Sequence, residues 1–165
     1  MTAIMPVSEA KDAEITEILN RAGRFLQNFA LLEVITAAWL ISLESTPDLA
    51  RKFLNDKRNL ATRIKRLSDL LGADATAESV SLASDLAEIE PLRRFRNHLV
   101  NSPVGAAPDG ATRMIGWAST VDVSSEIVVS HNVATLKIVH RLHTAHVARF
   151  GHPPSLQIAA PPPTE

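Results

Sequence analysis

Apolar residues recur at three- and four-residue steps over most of the first hundred positions, which is the spacing of one face of an α-helix. The pattern predicts a first helix from about Glu9 to Glu44. A second helix is predicted to start at the cap-like Thr46-Pro47-Asp48 and to end at Gly72. A third is predicted to begin at Thr76, and Pro91 should bend it or divide it in two. This part of the chain therefore predicts helices that each bury one face.

The pattern changes after Asn101-Ser102-Pro103, where turn-forming and β-branched residues become frequent. Thr112–Ala118 and Glu126–Ser130 are predicted to be the two strands of a small hairpin. A last helix is expected from about Asn132 to Phe150. The predicted fold class is mainly α: an up-and-down bundle of four to five helices with a small β-hairpin insert before the last helix.

The composition suits a single globular domain, because 165 residues are about one domain's length and 45% of them are hydrophobic. We expect an N-terminal arm at 1–8, one helical domain at 9–150 and a Pro-rich, disordered tail at 151–165. The absence of cysteine excludes disulfide frameworks, thiolate metal sites and cysteine nucleophiles, and it fits a cytoplasmic location. The most apolar run, 29–43, is shorter than the roughly 20 residues of a membrane span, so no membrane segment is expected.

The formal net charge of −1 hides an uneven distribution of charge. Residues 51–66 hold seven basic side chains and one acidic one, a local charge of +6, which leaves −7 for the rest of the chain. Arg58, Arg63 and Arg66 belong to this run. Such a helix face is either a surface for nucleic-acid phosphates or an ordinary solvated face, and the sequence leaves both interpretations open.

The densest polar cluster falls at the end of the predicted third helix. Leu92, Phe95 and Leu99 should form the buried face of this segment. The remaining faces carry three guanidiniums, two amides and an imidazole, from Arg93, Arg94, Arg96, Asn97, His98 and Asn101. This set could bind phosphate, or its cations could simply stabilise the negative end of a helix.

The order of these features resembles the HEPN superfamily. The first helix contains Glu33 within Phe29–Glu33, a basic helix follows, and the third helix ends in the Arg-Asn motif at Arg96 and Asn97. A short extended segment and a closing helix come next, so the resemblance covers roughly Arg24 to Phe150. It implies a homodimer that acts on RNA without a cofactor, through a metal-independent ribonuclease site formed by an arginine and a histidine five residues later.

This chain departs from the family pattern at the histidine, which corresponds to Asn101. An amide does not titrate, so Asn101 cannot act as a general acid or base. His98 could replace the missing base, and a second alignment pairs Arg93 with His98 at the family spacing. The resemblance is therefore compatible with a weak endoribonuclease and with a degenerate protein that only binds RNA.

Four other side chains carry separate expectations. Glu33 should either pair with Arg94 or Arg96 or face solvent, because an unpaired carboxylate in an apolar run is costly. His140, His143 and His146 are spaced at three residues with no neighbouring acid, so they are predicted as core or interface residues rather than metal ligands. One of them could stand beside His98 as a substitute for the missing histidine.

Two functional hypotheses follow from the sequence. The first is an RNA-directed protein of the defence or toxin–antitoxin type, whose partners are RNA and a cognate antitoxin or other protein. The second is a non-enzymatic helical dimer whose former active site binds a protein or a small ligand.

Overall fold

The computed structural model describes residues 9–55, 60–74, 76–116 and 120–151. The elements in these ranges are α1 (Glu9–Leu43), α2 (Pro47–Asn55), α3 (Leu60–Gly72), α4 (Ala77–Ala87), α5 (Ile89–Asn101), β1 (Val104–Ala106), β2 (Thr112–Ile115), β3 (Thr120–Asp122) and α6 (Ser125–Phe150). The predicted mainly-α bundle with a small antiparallel insert before the last helix is confirmed. The predicted arm at 1–8 and residues 152–165 of the predicted tail lie outside the described residues.

The core is built around α1, which packs against α6 along most of its length. Hydrogen bonds join the two helices at three levels: Asn28 to Asn132, Trp39 to the Leu142 carbonyl, and Ser42 to His146. The partners are 104, 103 and 104 positions apart at the three levels. Because this offset is constant, the first and last helices run in the same direction, side by side.

Local capping chemistry accounts for the boundaries of α4 and α5. The Thr76 hydroxyl accepts a hydrogen bond from the Ser79 amide at 3.1 Å and caps α4. The predicted third helix is divided at Glu88. Pro91 is then the third residue of α5, where its missing N–H costs nothing because first-turn amides have no partner within the helix. The division at proline is confirmed.

The predicted second helix is described in two segments, α2 and α3, and residues 56–59 between them lie outside the described part of the chain. α3 ends at Gly72 as predicted. Ala50 of α2 and Leu60, Leu67 and Leu71 of α3 are buried. Both segments therefore contribute buried apolar side chains, as expected for a helix that covers the core.

The predicted strand at Glu126–Ser130 is wrong, because these residues form the first turns of α6. Ser124 caps this helix by accepting from the Ile127 amide at 3.3 Å. The local β-branched residues favour a strand, but Val128 is fully buried on the helix face that meets the core, and packing overrides that weak preference.

The insert is a three-stranded antiparallel sheet in the order β1-β2-β3, rather than a hairpin. Of the two predicted strands, 112–118 is realised as β2, while the partners of β2 come from the Val104–Ala106 segment and from Thr120–Asp122. Met114 of β2 and Val123, the residue directly after β3, are both buried, so the sheet adds to the helical core. Residues 117–119 lie outside the described ranges.

By length and composition, α1 is apolar enough to cross a membrane, with an 18-residue window of mean hydropathy 1.5. A central core helix of a soluble protein passes the same test. Ile18, Phe25, Leu32 and Leu40 of this helix are completely buried in the protein core. Packing within the bundle therefore accounts for one face of this helix, and 33% of the window is buried in the protein.

Candidate functional site

The polar cluster of the predicted third helix lies on α5, whose buried face is formed as expected. Leu92 and Phe95 are buried and Leu99 is half-buried. Arg94 and Asn101 are exposed on the other side. The remaining polar side chains are half-buried at the helix edges: Arg93, Arg96, Asn97 and His98. The helix thus presents the cluster along its outer surface.

Two of the three guanidiniums on α5 are bound by one carboxylate, Glu90, in the first turn. Arg93 donates to both Glu90 oxygens at 2.8 Å, and Arg94 donates from Nε to Oε1 at 2.9 Å. These bonds hold the pKa of Glu90 at about 2, below the ordinary value of 4.5. The role of Glu90 was missed from the sequence, although its spacing of three and four residues from the two arginines is the spacing of helix ion pairs.

Arg96 differs from its two neighbours because no carboxylate in the described ranges pairs with it. Its Nη1 donates to Oδ1 of Asn97 at 3.3 Å, a neutral partner that leaves the charge uncompensated. His98 is the basic residue of the last turn of α5, so the partial negative charge of the helix end acts there rather than at Arg96. The Arg96 guanidinium and the adjacent Asn97 amide could therefore bind a phosphate together.

The other motif residues are not joined by hydrogen bonds. The side chains of His98 and Asn101 make no hydrogen bond with any other residue in the described part of the chain. Asn101 is the last residue of α5, and the buried Ser102 caps the helix in an extended conformation. In the alternative alignment, the arginine paired with His98 would be Arg93, whose charge is already bound by Glu90.

Glu33 pairs with neither Arg94 nor Arg96. It lies half-buried on α1, and no ion pair joins it to another of the described residues. The expected contact between the first-helix acid and the motif arginine is therefore not formed. The alternative expectation, a carboxylate that reaches solvent from the edge of the helix, agrees with its partial exposure.

The basic run is divided into side chains with different roles. Arg66 donates from Nε and Nη2 to the two oxygens of Glu44 at 2.6 and 3.1 Å. The Glu44 side chain is only 1% exposed, and these bonds from Arg66 lower its pKa. Arg63 donates to the Leu54 carbonyl at 3.3 Å, and Arg58 lies outside the described residues. The predicted phosphate surface is thus partly committed to holding α3 against the end of α1.

The three predicted histidines of α6 have different surroundings. His146 is buried, and its Nε2 lies 3.0 Å from Ser42 Oγ with the Trp39 ring edge-on beside it. Burial lowers the pKa of His146, and the nearby Ala38 and Gly151 backbone partly offsets this effect. His143 is half-buried and His140 is exposed, so only His146 is fully a core residue as predicted.

A fourth histidine, His131, was missed from the sequence. Its ring stacks on Phe95 at 3.9 Å and meets Phe25 edge-on. Nδ1 donates to the Ile127 carbonyl at 2.8 Å, because a carbonyl can only accept, and this bond fixes the ring. His131 was missed because a strand was predicted at 126–130. In the helix that starts at Ser125, His131 lies one turn after Val128, on the edge of the buried face.

Among the described residues, no group of three or more histidine, aspartate or glutamate side chains is placed to hold a metal ion. Comparisons with protein-family models, curated proteins and solved structures find no match to this chain. The resemblance to the HEPN superfamily therefore depends on the sequence pattern from Arg24 to Phe150 alone.

Proposed function

We propose that this chain is a HEPN-like protein of the RNA-directed defence or toxin–antitoxin type, and that it binds RNA without cleaving it. The observation that carries the proposal is the uncompensated charge of Arg96 beside the Asn97 amide. Arginine recognises phosphate through charge-assisted hydrogen bonds, and an adjacent amide can add a neutral donor. In this proposal the α5 surface contacts the RNA backbone.

The same surface favours binding over catalysis. Hydrolysis of RNA without a metal needs groups that accept and donate protons near neutral pH. Asn101 cannot do so, and no hydrogen bond among the described residues fixes which nitrogen of His98 carries the proton. Arg96 alone could stabilise the phosphate charge and so bind the RNA. It could not accept or donate the protons that hydrolysis transfers.

The binding test uses fluorescence anisotropy with a labelled single-stranded RNA at 50 and 200 mM salt. Arg96→Ala should weaken binding about tenfold and reduce the salt slope by about one. The matched control is Arg149→Ala, which removes the same charge from an arginine that pairs with Asp74 at 2.9 Å. Equal affinities of the two variants, or no salt-sensitive binding by the parent, would contradict the proposal.

A cleavage assay separates a binder from a nuclease. The parent should leave the RNA intact, and Asn101→His should introduce cleavage if the α5 surface is a degenerate form of the family site. Cleavage by the parent that disappears in His98→Ala would show instead that His98 has replaced the missing histidine. That result would overturn the non-catalytic part of the proposal and keep the RNA target.

The second hypothesis, a non-enzymatic helical dimer, is favoured by a different observation. The exposed side of α1 carries Ala30, Val34 and Ile41 at helical spacing, and Val34 and Ile41 are 44% and 60% exposed. Apolar side chains on one exposed helix face favour contact with another protein surface, here a second copy. Light scattering should give a dimer that Ile41→Glu converts to a monomer, and a monomeric parent would exclude this alternative.

A further inference from the structure

A polar groove of about 450 Å³ lies between the N-terminal halves of α1 and α6. At one end of the groove, Asn28 Nδ2 donates a hydrogen bond to Oδ1 of the lining residue Asn132 at 2.7 Å. The lining consists of Glu17, Asn20, Arg21, Arg24, Val129 and Asn132. Cavities that bind small molecules commonly measure about 300–1,000 Å³, so the groove has room for such a ligand.

The lining of this groove is unusual for a seam between two core helices. Apolar residues would close the seam, as they do further along the same two helices. Five of the six lining residues are instead polar or charged. Most ligand sites are largely apolar with a few placed polar groups, so a lining as polar as this one suits a polar or charged ligand.

Of the three charged lining residues, Glu17 and Arg21 pair with each other, and Arg24 has no partner among the described residues. Arg21 Nε donates to Glu17, so this guanidinium and this carboxylate are both engaged. Arg24 makes no hydrogen bond or ion pair with any residue in the described part of the chain. Within the described ranges, the groove therefore offers one guanidinium without a partner, which suits a phosphate or carboxylate oxygen.

The two amides add hydrogen-bonding capacity of both kinds. Oδ1 of Asn132 accepts from Asn28, which leaves the Asn132 NH₂ group as a donor. Asn20 bonds to none of the described residues and can both donate and accept. Asparagine side chains match the edge of a nucleobase, which also presents donors and acceptors side by side.

We propose that this groove binds a nucleotide, with a 5′-phosphate on Arg24 and the base edge on Asn20 and Asn132. A free mononucleotide and the end of an RNA strand share this chemistry. Glu17 lies in the groove, where Arg21 pairs with it. Arg24 is then the one guanidinium among the described lining residues that is left for a phosphate, so a monophosphate should bind more tightly than a triphosphate.

The experiment titrates the whole protein with AMP by calorimetry, with ATP, adenosine and inorganic phosphate as comparison ligands. AMP should bind most tightly of the four. Arg24→Ala should raise the dissociation constant for AMP about tenfold, whereas Arg149→Ala should leave it within twofold. No AMP binding at millimolar concentration, or inorganic phosphate binding as tightly as AMP, would overturn the proposal.

A second variant keeps the test valid if Arg24→Ala changes the fold. Asn132→Asp has nearly the same shape, and its carboxylate can still accept the hydrogen bond from Asn28, but it removes the donor that faces the groove. It should weaken AMP binding about tenfold while the circular dichroism spectrum stays unchanged. Unchanged AMP affinity in a folded Asn132→Asp variant would exclude the assigned base contact.

The source of the nucleotide and the independence of this site are tested together. AMP binding should survive Arg96→Ala within twofold, so failure of the α5 proposal does not remove the groove proposal. If the ligand is a free nucleotide, Arg24→Ala leaves the affinity for labelled RNA unchanged. If it is the end of an RNA strand, RNA carrying a 5′-phosphate loses affinity in Arg24→Ala, and RNA without that phosphate does not.

Discussion

Arg66 on α3 and Arg96 on α5 show how differently two arginines from basic segments can be used. Arg66 donates hydrogen bonds to both carboxylate oxygens of Glu44, whose side chain is only 1% exposed. Arg96 contacts only the neutral Asn97 amide. The first arginine holds two helices together, and the charge of the second is not compensated by any carboxylate in the described part of the chain. A count of positive charges along the sequence predicts where arginines lie, but not which of them is available.

The largest expected effect is the loss of stability when Arg66, the arginine with a structural role, is removed. Arg66→Ala leaves the Glu44 carboxylate buried without its guanidinium, and the free energy of unfolding should fall by about 3 kcal/mol. Urea denaturation followed by circular dichroism measures it. Arg51→Ala removes the same charge from an exposed pair with Asp48 and should cost less than about 0.5 kcal/mol. Similar losses in both variants would show that Glu44 is not a buried carboxylate that needs Arg66.

The second prediction concerns the buried histidine His146 and the dependence of stability on pH. The pKa of His146 is lowered by burial, so the folded protein binds fewer protons than the unfolded chain as the pH falls through about 6.5. Stability is therefore full above that pH and decreases below it, by at most about 2 kcal/mol at pH 5. Urea midpoints at pH 7.5 and 5 measure the change. His146→Phe should reduce this dependence, and an unchanged pH dependence in a folded His146→Phe variant would contradict the assignment.

The third prediction concerns Arg93 and Arg94, which Glu90 binds in the parent protein and which a substitution of Glu90 would make available to a ligand. Glu90→Gln releases both guanidiniums and should cost about 0.5–1 kcal/mol of stability, because the three side chains are at the surface. Since the pKa of Glu90 is about 2, its contribution is present above pH 4.5 and is lost as the pH falls towards 2. The variant should also bind labelled RNA several-fold more tightly at low salt.

The matched control for Glu90 is Glu78→Gln, which makes the same charge change at an exposed residue of α4. No ion pair joins Glu78 to another described residue. If both variants gained the same RNA affinity, overall charge would explain the gain, and the release of Arg93 and Arg94 would not.

The smallest expected effect concerns Arg96 itself. Arg96→Ala removes no ion pair within the described ranges, so the free energy of unfolding should change by less than about 0.5 kcal/mol. Urea denaturation under the conditions used for Arg66→Ala gives a direct comparison. A loss as large as that of Arg66→Ala would place Arg96 among the arginines that hold the fold.

Much of the fold could be predicted because helix signals in this chain are local. The cap at Thr76, the division caused by Pro91 and the end of α3 at Gly72 each depend on a few neighbouring residues. The failure at Glu126–Ser130 has a long-range cause. Val128 is helical because it packs into the core built around α1, and that contact has no signature in the local sequence.

The candidate site was less predictable because ion pairing depends on contacts as well as spacing. The Glu90 pairs lie within one helix and could have been inferred from spacing. The partner of Arg66 is Glu44, 22 positions away, and its identity follows only from how α1 meets α3. The groove at Arg24 likewise needs α1 and α6 side by side, which the sequence pattern of either helix does not reveal.

The parallel pairing of α1 with α6 has a consequence for synthesis on the ribosome. The chain from Leu43 to Ser125 must be translated before the principal partner of α1 begins to emerge. At about 5–20 residues per second, this interval lasts roughly 4–16 s. During that time Phe25, Leu32 and Leu40 lack their final cover, so the nascent chain displays a long apolar helix that chaperones can recognise before the domain closes.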